Sequence, residues 1–442
     1  MDIETARSSV GWPQKSASHY NQLWTAPTSG KVCTYWLQGR CNRNPCRFLH
    51  DVSLPRNVYH RAAKQSTHIP EDCPGKGSES SSMNSVSSTS REGDPSIDKY
   101  PRKPQQKLCH YWIYGNCVKG DACPFLHSWF HGVDFAMLAK LEGHKKGISG
   151  IALPSGSTKL YSGSKDGTAR IWDCHTGQCD QVINLGGEVG CFTCERPWVF
   201  VGLPNTVKAW NSQNGASYDI SGPVGQVHAL EVANNMLFAG AQDGAILVWK
   251  GRSSEADPFQ MAAPLRGHTR GVVSLTIGRD RLYSGSIDRT IRVWDLHTLE
   301  CVQELVGHTD VVMSLLCWDQ FLISCSLDQT VKVWGIATEG GSLQVAYTHH
   351  EDHGILALSG MNDASGKPIL LCACLDNTVR LYELPSFTER GKIFSRQEVR
   401  TLQTAPGGLF FTGDAAGMLT VWKWLDSPKS QKEQVPHPMD SC

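Results

Sequence analysis

Residues 283–295 read YSGSIDRTIRVWD. An alternating apolar run leads into a tight polar turn, and a second run ends on an aromatic. That order of residues reads as a β-hairpin. The phrase recurs six more times. It appears as YSGSKDGTARIWD (161–173), FVGLPNTVKAW (200–210), FAGAQDGAILVW (238–249), ISCSLDQTVKVW (323–334), LCACLDNTVRLY (371–382) and FTGDAAGMLTVW (411–422). The closing aromatics are Trp172, Trp210, Trp249, Trp294, Trp334, Tyr382 and Trp422, spaced 38 to 48 residues apart. Such a period signals a repeat architecture in which each unit hides its faces only by stacking on its neighbours.

Working outward, Gly143–His144, Gly267–His268 and Gly307–His308 precede three of the hairpins, and Trp172–Asp173 and Trp294–Asp295 close two. With these residues the chain resembles the WD-repeat β-propeller family over roughly residues 135–425. The resemblance implies an all-β, seven-bladed propeller. It also implies three hydrogen-bonded tetrads: His144, Ser162, Asp166 and Trp172; His268, Ser284, Asp288 and Trp294; His308, Ser324, Asp328 and Trp334. The turn aspartate persists at Asp243 and Asp376 but is Asn205 in the second repeat and Ala416 in the seventh, so those two repeats are expected to lose the tetrad. FAMLAKLEGH (135–144) contains a strand with no partner of its own, expected to complete the last blade and close the ring. The longest repeats carry the extra loops 251–264 and 335–353, which are candidate docking surfaces for proteins.

Upstream, two segments share another pattern. CTYWLQGRCNRNPCRFLH (33–50) is spaced C-x7-C-x4-C-x3-H, and CHYWIYGNCVKGDACPFLH (109–127) is spaced C-x7-C-x5-C-x3-H. Segments this short rarely bury enough surface to fold unaided. Three thiolates and an imidazole satisfy a closed tetrahedral Zn²⁺ site. Zinc binding at such sites supplies about 10–16 kcal/mol. The expected ligands of two structural zinc ions are Cys33, Cys41, Cys46 and His50, and Cys109, Cys117, Cys123 and His127. These segments resemble CCCH zinc fingers, and the order of parts resembles a plant-type family joining CCCH fingers to WD repeats. The expected organisation is a disordered 1–26, finger one over 27–53, and a Ser-rich disordered linker over 54–102. Finger two over 103–130, the propeller over 135–425 and a disordered tail over 426–442 follow. The 58 residues between His50 and Cys109 give the fingers an r.m.s. reach of about 40–45 Å.

The net charge is +0, yet residues 31–50 carry +4 and residues 101–127 carry +3, leaving −7 for the remainder. Basic islands on an acidic body suit contact with phosphate. Aromatics beside basic side chains let bases stack while cations meet the backbone, a chemistry suited to single strands. The expected contacts are Tyr35, Trp36, Arg40, Arg43, Arg47 and Phe48 in finger one, and Tyr111, Trp112, Lys119 and Phe125 in finger two. The CCCH resemblance implies single-stranded RNA first, with DNA as the other possibility. No aromatic follows the second cysteine, where Asn42 and Val118 stand, so a tight sequence code is not expected.

The other cysteines read as core residues, including Cys191, Cys194, Cys372 and Cys374, and His349, His350 and His353 read as a polar loop. The chain has 17 cysteines, an odd number with no secretory leader, which points to a reducing compartment, nucleus or cytoplasm. No nucleophile–base, phosphate-loop or metalloprotease motif is present, so no enzyme, small-molecule substrate or membrane attachment is expected. The leading reading is a zinc-dependent nucleic-acid-binding adaptor whose propeller recruits unidentified proteins. The alternative is a scaffold whose fingers contact protein, or a substrate receptor of a cullin-type ubiquitin ligase. For the last, His175 and His297 stand where that docking signature wants a basic residue.

Overall fold

A computed structural model of the chain describes residues 29–32, 48–49, 107–132, 134–154, 156–252, 258–336, 342–363 and 365–425. The expected disordered segments 1–26, 54–102 and 426–442, and the finger-one ligands Cys33, Cys41, Cys46 and His50, lie outside the described residues. So do Tyr35, Trp36, Arg40, Arg43 and Arg47. No helix among the described residues is long and apolar enough to cross a membrane.

From residue 130 onward every strand is antiparallel to its neighbours, and six of the seven hairpins read from the sequence are present, while the 200–210 phrase lies within the single strand Trp198–Asn211. Leu282 pairs with Trp294, Leu322 with Trp334 and Leu160 with Trp172, so these three closing tryptophans each lie across from a buried leucine. The innermost strands follow one another in a circle. They are Ile148–Ala152, Cys191–Glu195, the end of Ser217–Ala233, Val272–Gly278, Val312–Trp318, Ile355–Asn362 and Val399–Ala405, which returns to Ile148–Ala152.

The expectation of seven blades is corrected to six. The second and third repeats run together into one six-stranded sheet, from Cys191–Glu195 through Trp198–Asn211 and Ser217–Ala233 to Phe259–Met261. The reason is local. The turn at Asn205, one residue shorter than its counterparts, is made in the left-handed region at φ 63°. Pro204 then pairs with Gln226, so strand pairing passes across the bend instead of stopping there.

The three expected tetrads are present as hydrogen-bond chains. His268 Nδ1 lies 2.8 Å from Asp288 Oδ2, His268 Nε2 lies 2.8 Å from Ser284 Oγ, and Trp294 Nε1 donates to Ser284 Oγ at 2.9 Å. The same links join His144, Asp166, Ser162 and Trp172 at 3.1, 2.8 and 2.8 Å, and His308, Asp328, Ser324 and Trp334 at 2.8, 2.7 and 2.8 Å. The serines are fully buried, so the bonds they make to histidine and tryptophan are shielded from competing water. The Gly-His dipeptide has its own cause. The guanidinium groups of Arg170 and Arg292 lie against Gly143 and Gly267, where a Cβ would come within 2.7 and 2.8 Å.

The divergent repeats find substitutes. In the seventh, Asp414 stands two positions before Ala416 and accepts the amides of Ala416 and Met418 at 2.9 Å each, while Trp422 Nε1 donates to Thr412 Oγ1 at 3.0 Å. In the sixth, the Tyr382 hydroxyl donates to the buried Glu351 Oε1 at 2.6 Å, and Arg380 pairs with the same carboxylate. His349, expected in a polar loop, is the penultimate residue of the strand Leu343–His350 and stacks on Phe387 with centroids 4.8 Å apart. Cys191, Cys372 and Cys374 are buried in the core.

Closure comes from the N-terminal side. Phe135–Leu141 pairs with Leu419–Trp424 as the fourth strand of the last sheet. Just before it, Phe130–His131 adds a fifth strand to the preceding sheet by pairing with Ile393 and Lys392. Phe130 and Phe135 are buried against Trp422, Phe410 and Trp424. Removing residues 135–142 deletes Phe135, whose burial alone is worth about 3–5 kcal/mol. The melting temperature is expected to fall by about 10 °C or more. An unchanged Tm in that truncation contradicts closure by this strand.

The tetrads also set an acid limit. Burial disfavours the imidazolium of His144 and His268 and lowers their pKa values in spite of the neighbouring aspartates. Burial by itself would raise Asp166 and Asp288, but hydrogen bonds from Thr168 and Thr290 and from the Lys145 and Thr269 amides hold both at about 2. Below about pH 6.5 the unfolded chain binds protons that the folded histidines refuse. Between about pH 4 and 2 it takes protons that the folded aspartates refuse. Both effects have the same sign. Urea unfolding at a series of pH values is expected to show stability falling below about pH 6.5 and falling again below about pH 4.

Candidate metal centre and its exposed face

The second Cys/His segment folds around its own donors. Cys109, Cys117, Cys123 and His127 place their ligand atoms within 4.8 Å of one another. Among the described residues this is the one set of three or more such donors close enough to share an ion. Cys109 Sγ and Cys123 Sγ are 3.7 Å apart. Two sulfurs at about 2.3 Å from a tetrahedral zinc stand about 3.8 Å apart, so the donor set fits that ion. Burial opposes ionisation of the Cys109 thiol, but the amides of Trp112 and Tyr111 and the two neighbouring thiols outweigh it and lower its pKa.

Short local elements aim the donors. Cys109 caps the one-turn helix His110–Ile113, and the 3₁₀ turn Gly120–Ala122 leads directly into Cys123. Gly115 continues the chain from the helix at φ 78°, a backbone shape glycine adopts without strain. The ends of the segment are tied by a parallel bridge between Leu108 and Leu126. The Cys109 amide donates to Leu126 O at 2.9 Å, and the Leu126 amide donates to Lys107 O at 2.9 Å. The same backbone feature recurs upstream, where Val32 pairs in parallel with Leu49. In both segments the bridged residues immediately precede the first cysteine and the histidine.

The aromatic side chains divide into two groups. Tyr111 is 67% exposed and Phe125 41% exposed, and Lys119 is exposed with them. Trp112, also expected at the nucleic-acid surface, is half-buried. It stacks on the His127 ring at 5.6 Å and 13° and packs against Trp129 at 5.2 Å. The imidazole ligand and Trp129 occupy it, because a fold this small has few other groups to cover a metal site. Sequence reasoning missed Tyr114, which is 51% exposed. The aromatic run YWIY held the signal, but position 114 has Gln38 as its counterpart in the first segment and did not stand out as shared.

The segment is docked on the ring. Arg396 Nε donates to Ile113 O at 3.0 Å, and the Phe394 amide donates to Trp129 O at 2.8 Å. Lys140 Nζ sits 3.7 Å from the Trp129 ring centroid and the Arg396 guanidinium carbon 5.6 Å from it. Burial, then repulsion from Arg396, pushes the Lys140 ammonium down to about 8, with Glu142 and Asp414 acting the other way.

Comparison with known proteins adds independent findings. The family described as WD domain, G-beta repeat matches residues 135–173, 260–295 and 299–335. These are the three repeats whose tetrads are complete. Zinc finger CCCH domain-containing protein 17 of Oryza sativa subsp. japonica is 53% identical over 434 residues, covering 96% of this chain and 98% of its own. Zinc finger CCCH domain-containing proteins 48 and 63 of Arabidopsis thaliana are each 52% identical, covering 90% and 91% of this chain and 93% and 92% of their own. The solved WD40 β-propeller domain of Doa1 is similar in fold, with a TM-score of 0.55 at 19% identity over 67% of this chain and 98% of that one.

Cys117→Ser removes one of four donors from the docked centre. Metal analysis of the purified full chain is expected to show one zinc fewer per molecule than the unsubstituted protein. Equal zinc content in the two proteins contradicts ligation by Cys117.

Proposed function

The chain belongs to the family of plant zinc finger CCCH domain-containing proteins with WD repeats. From that premise we propose that it is a zinc-dependent adaptor that holds single-stranded nucleic acid, RNA in preference to DNA, and recruits proteins through its propeller. The observation that carries this reading is the exposed face of finger two. Tyr111 and Phe125 present their rings to solvent on a scaffold whose ligand atoms converge, and Lys119 of the same segment is exposed as well.

Two zinc ions, one for each set of three cysteines and a histidine, would supply structure and no reaction step. Cys109, Cys117, Cys123 and His127 hold the second; Cys33, Cys41, Cys46 and His50 hold the first. Bases stack on Tyr111 and Phe125, and Lys119 meets phosphate. Neither contact reads a base edge, so the grip tolerates many sequences. Finger one, with Tyr35, Trp36, Arg40, Arg43, Arg47 and Phe48, adds a second grip at the end of a long linker. Two weak grips on one strand raise avidity without a new contact. On the ring, exposed apolar side chains on outer strands support protein docking: Val302 and Val306 on Cys301–Val306, and Val345 and Tyr347 on Leu343–His350. No catalytic role is assigned, and the adaptor would work in the nucleus or cytoplasm.

The test is binding of the full, zinc-loaded chain to single-stranded RNA, single-stranded DNA and duplex DNA across a salt series. Tyr111→Ala and Phe125→Ala are each expected to weaken single-strand binding by about 1–3 kcal/mol at unchanged zinc content. Affinity for RNA should fall linearly in log–log form with salt. Wild-type affinity in the double variant Tyr111→Ala, Phe125→Ala overturns the reading.

A further inference from the structure

Finger two and the ring share a wall, and a cavity of about 490 Å³ opens at that joint. Its size falls among pockets that hold small ligands, about 300–1,000 Å³. Trp129, Lys140, Ser395, Arg396 and Asp414 line it, and Gly143–His144 forms part of its wall on the ring side. Trp129 comes from the segment leaving the finger, Lys140 from the closing strand, and Arg396 from the connection between the last two sheets. Three separate parts of the chain thus bring two cations and one indole to one opening, which the carboxylates of Glu142 and Asp414 also line.

The charges there are unequal in their freedom to act. Asp414 accepts the amides of Ala416 and Met418 and the Ser395 hydroxyl, the last at 3.1 Å. Glu142 is exposed. Among the described residues Arg396 makes no ion pair, and its hydrogen bond uses Nε alone. Its two terminal nitrogens keep their donors, and a guanidinium presents such donors in a planar fork that matches phosphate oxygens.

The geometry points to a phosphate subsite: Lys140 and Arg396 take one backbone phosphate, against Trp129, of the same single strand that stacks on finger two. This rests on the nucleic-acid reading above and adds the ring to it. Continuity is the argument for that occupant. Arg396 is bonded to Ile113, the last residue of the helix that carries Tyr111 and is followed by exposed Tyr114. A helix of four residues spans about 6 Å, so the backbone of those tyrosines lies within about that distance of the Ile113 carbonyl that Arg396 holds. The half-buried setting of Lys140, which lowers its pKa, also thins the water that would screen its pull on an anion. The docking is what makes the subsite possible, since a freely tethered finger would not hold a fixed distance to Lys140.

The experiment uses the full zinc-loaded chain and a 12-nucleotide oligouridine RNA in a salt series. Lys140→Met and Arg396→Gln are compared with wild type, with the finger variant Tyr111→Ala and with Lys208→Met as a distant charge loss. Zinc content and Tm are measured on each. Lys140→Met and Arg396→Gln are expected to weaken binding about 3- to 10-fold at low salt, and losing one phosphate contact should make the log–log salt slope shallower by about 0.7. Lys208→Met is expected to match wild type. Cavity variants with wild-type affinity and slope, while Tyr111→Ala binds weakly, overturn the subsite and leave the finger reading intact. A wild-type chain that binds neither RNA nor DNA overturns both. Should the cavity variants lose zinc or Tm, 4-thiouridine RNA is cross-linked to the wild-type chain instead. Cross-links at Trp129 or its lining neighbours support the subsite, and cross-links confined to the fingers overturn it.

Discussion

A propeller can hide its sheet edges only if the two ends of the chain meet, and here they meet through the strand Phe135–Leu141 laid against Leu419–Trp424. Every other feature of the molecule depends on that pairing. It puts Phe135 between Phe410, Trp422 and Trp424, completing the core of the last sheet. It also fixes where the preceding residues must go. The short strand Phe130–His131 is drawn onto the neighbouring sheet, and the metal-binding segment that ends at His127 is thereby held against the ring. Closure and docking are two consequences of one stretch of about twelve residues.

The two kinds of domain solve the same problem of entropy by different means. The ring has enough chain to bury strands on both faces, and it adds serine-centred hydrogen bonds where a purely apolar core would leave strand positions less defined. The finger has almost no core. Its donors stand within 4.8 Å of one another, and Trp112 covers His127 on one side. That leaves its remaining large side chains, Tyr111, Tyr114 and Phe125, without an interior to enter. Their exposure follows from the size of the fold, and it is what makes them available to a ligand.

Much of this was legible in the residues. The tetrads were readable because His, Ser, Asp and Trp recur at set distances within about thirty residues, and local geometry then brings them together. The metal ligands were readable because only a few spacings let four donors meet. Two substitutions hid in plain view. Asp414 does from two positions earlier what a turn aspartate does elsewhere, and Glu351 satisfies Tyr382 from the connection before the repeat. The union of the second and third repeats was not legible, because it depends on Pro204 meeting Gln226 across a bend.

By itself, then, the order of residues determined the strands, their turns, the closing strand, the second set of metal donors and the family. Apart from the closing strand, which the sequence shows only as a strand without a local partner, these are written in short spacings that act through neighbouring backbone. Only the tertiary structure decided that there are six sheets, that Trp112 faces its own metal ligand, and that Trp129, Lys140 and Arg396 converge beside the finger. Those outcomes join residues as much as 267 positions apart, from Trp129 to Arg396, and no local pattern encodes such a meeting. It arises because a closed ring brings its first and last segments to the same place.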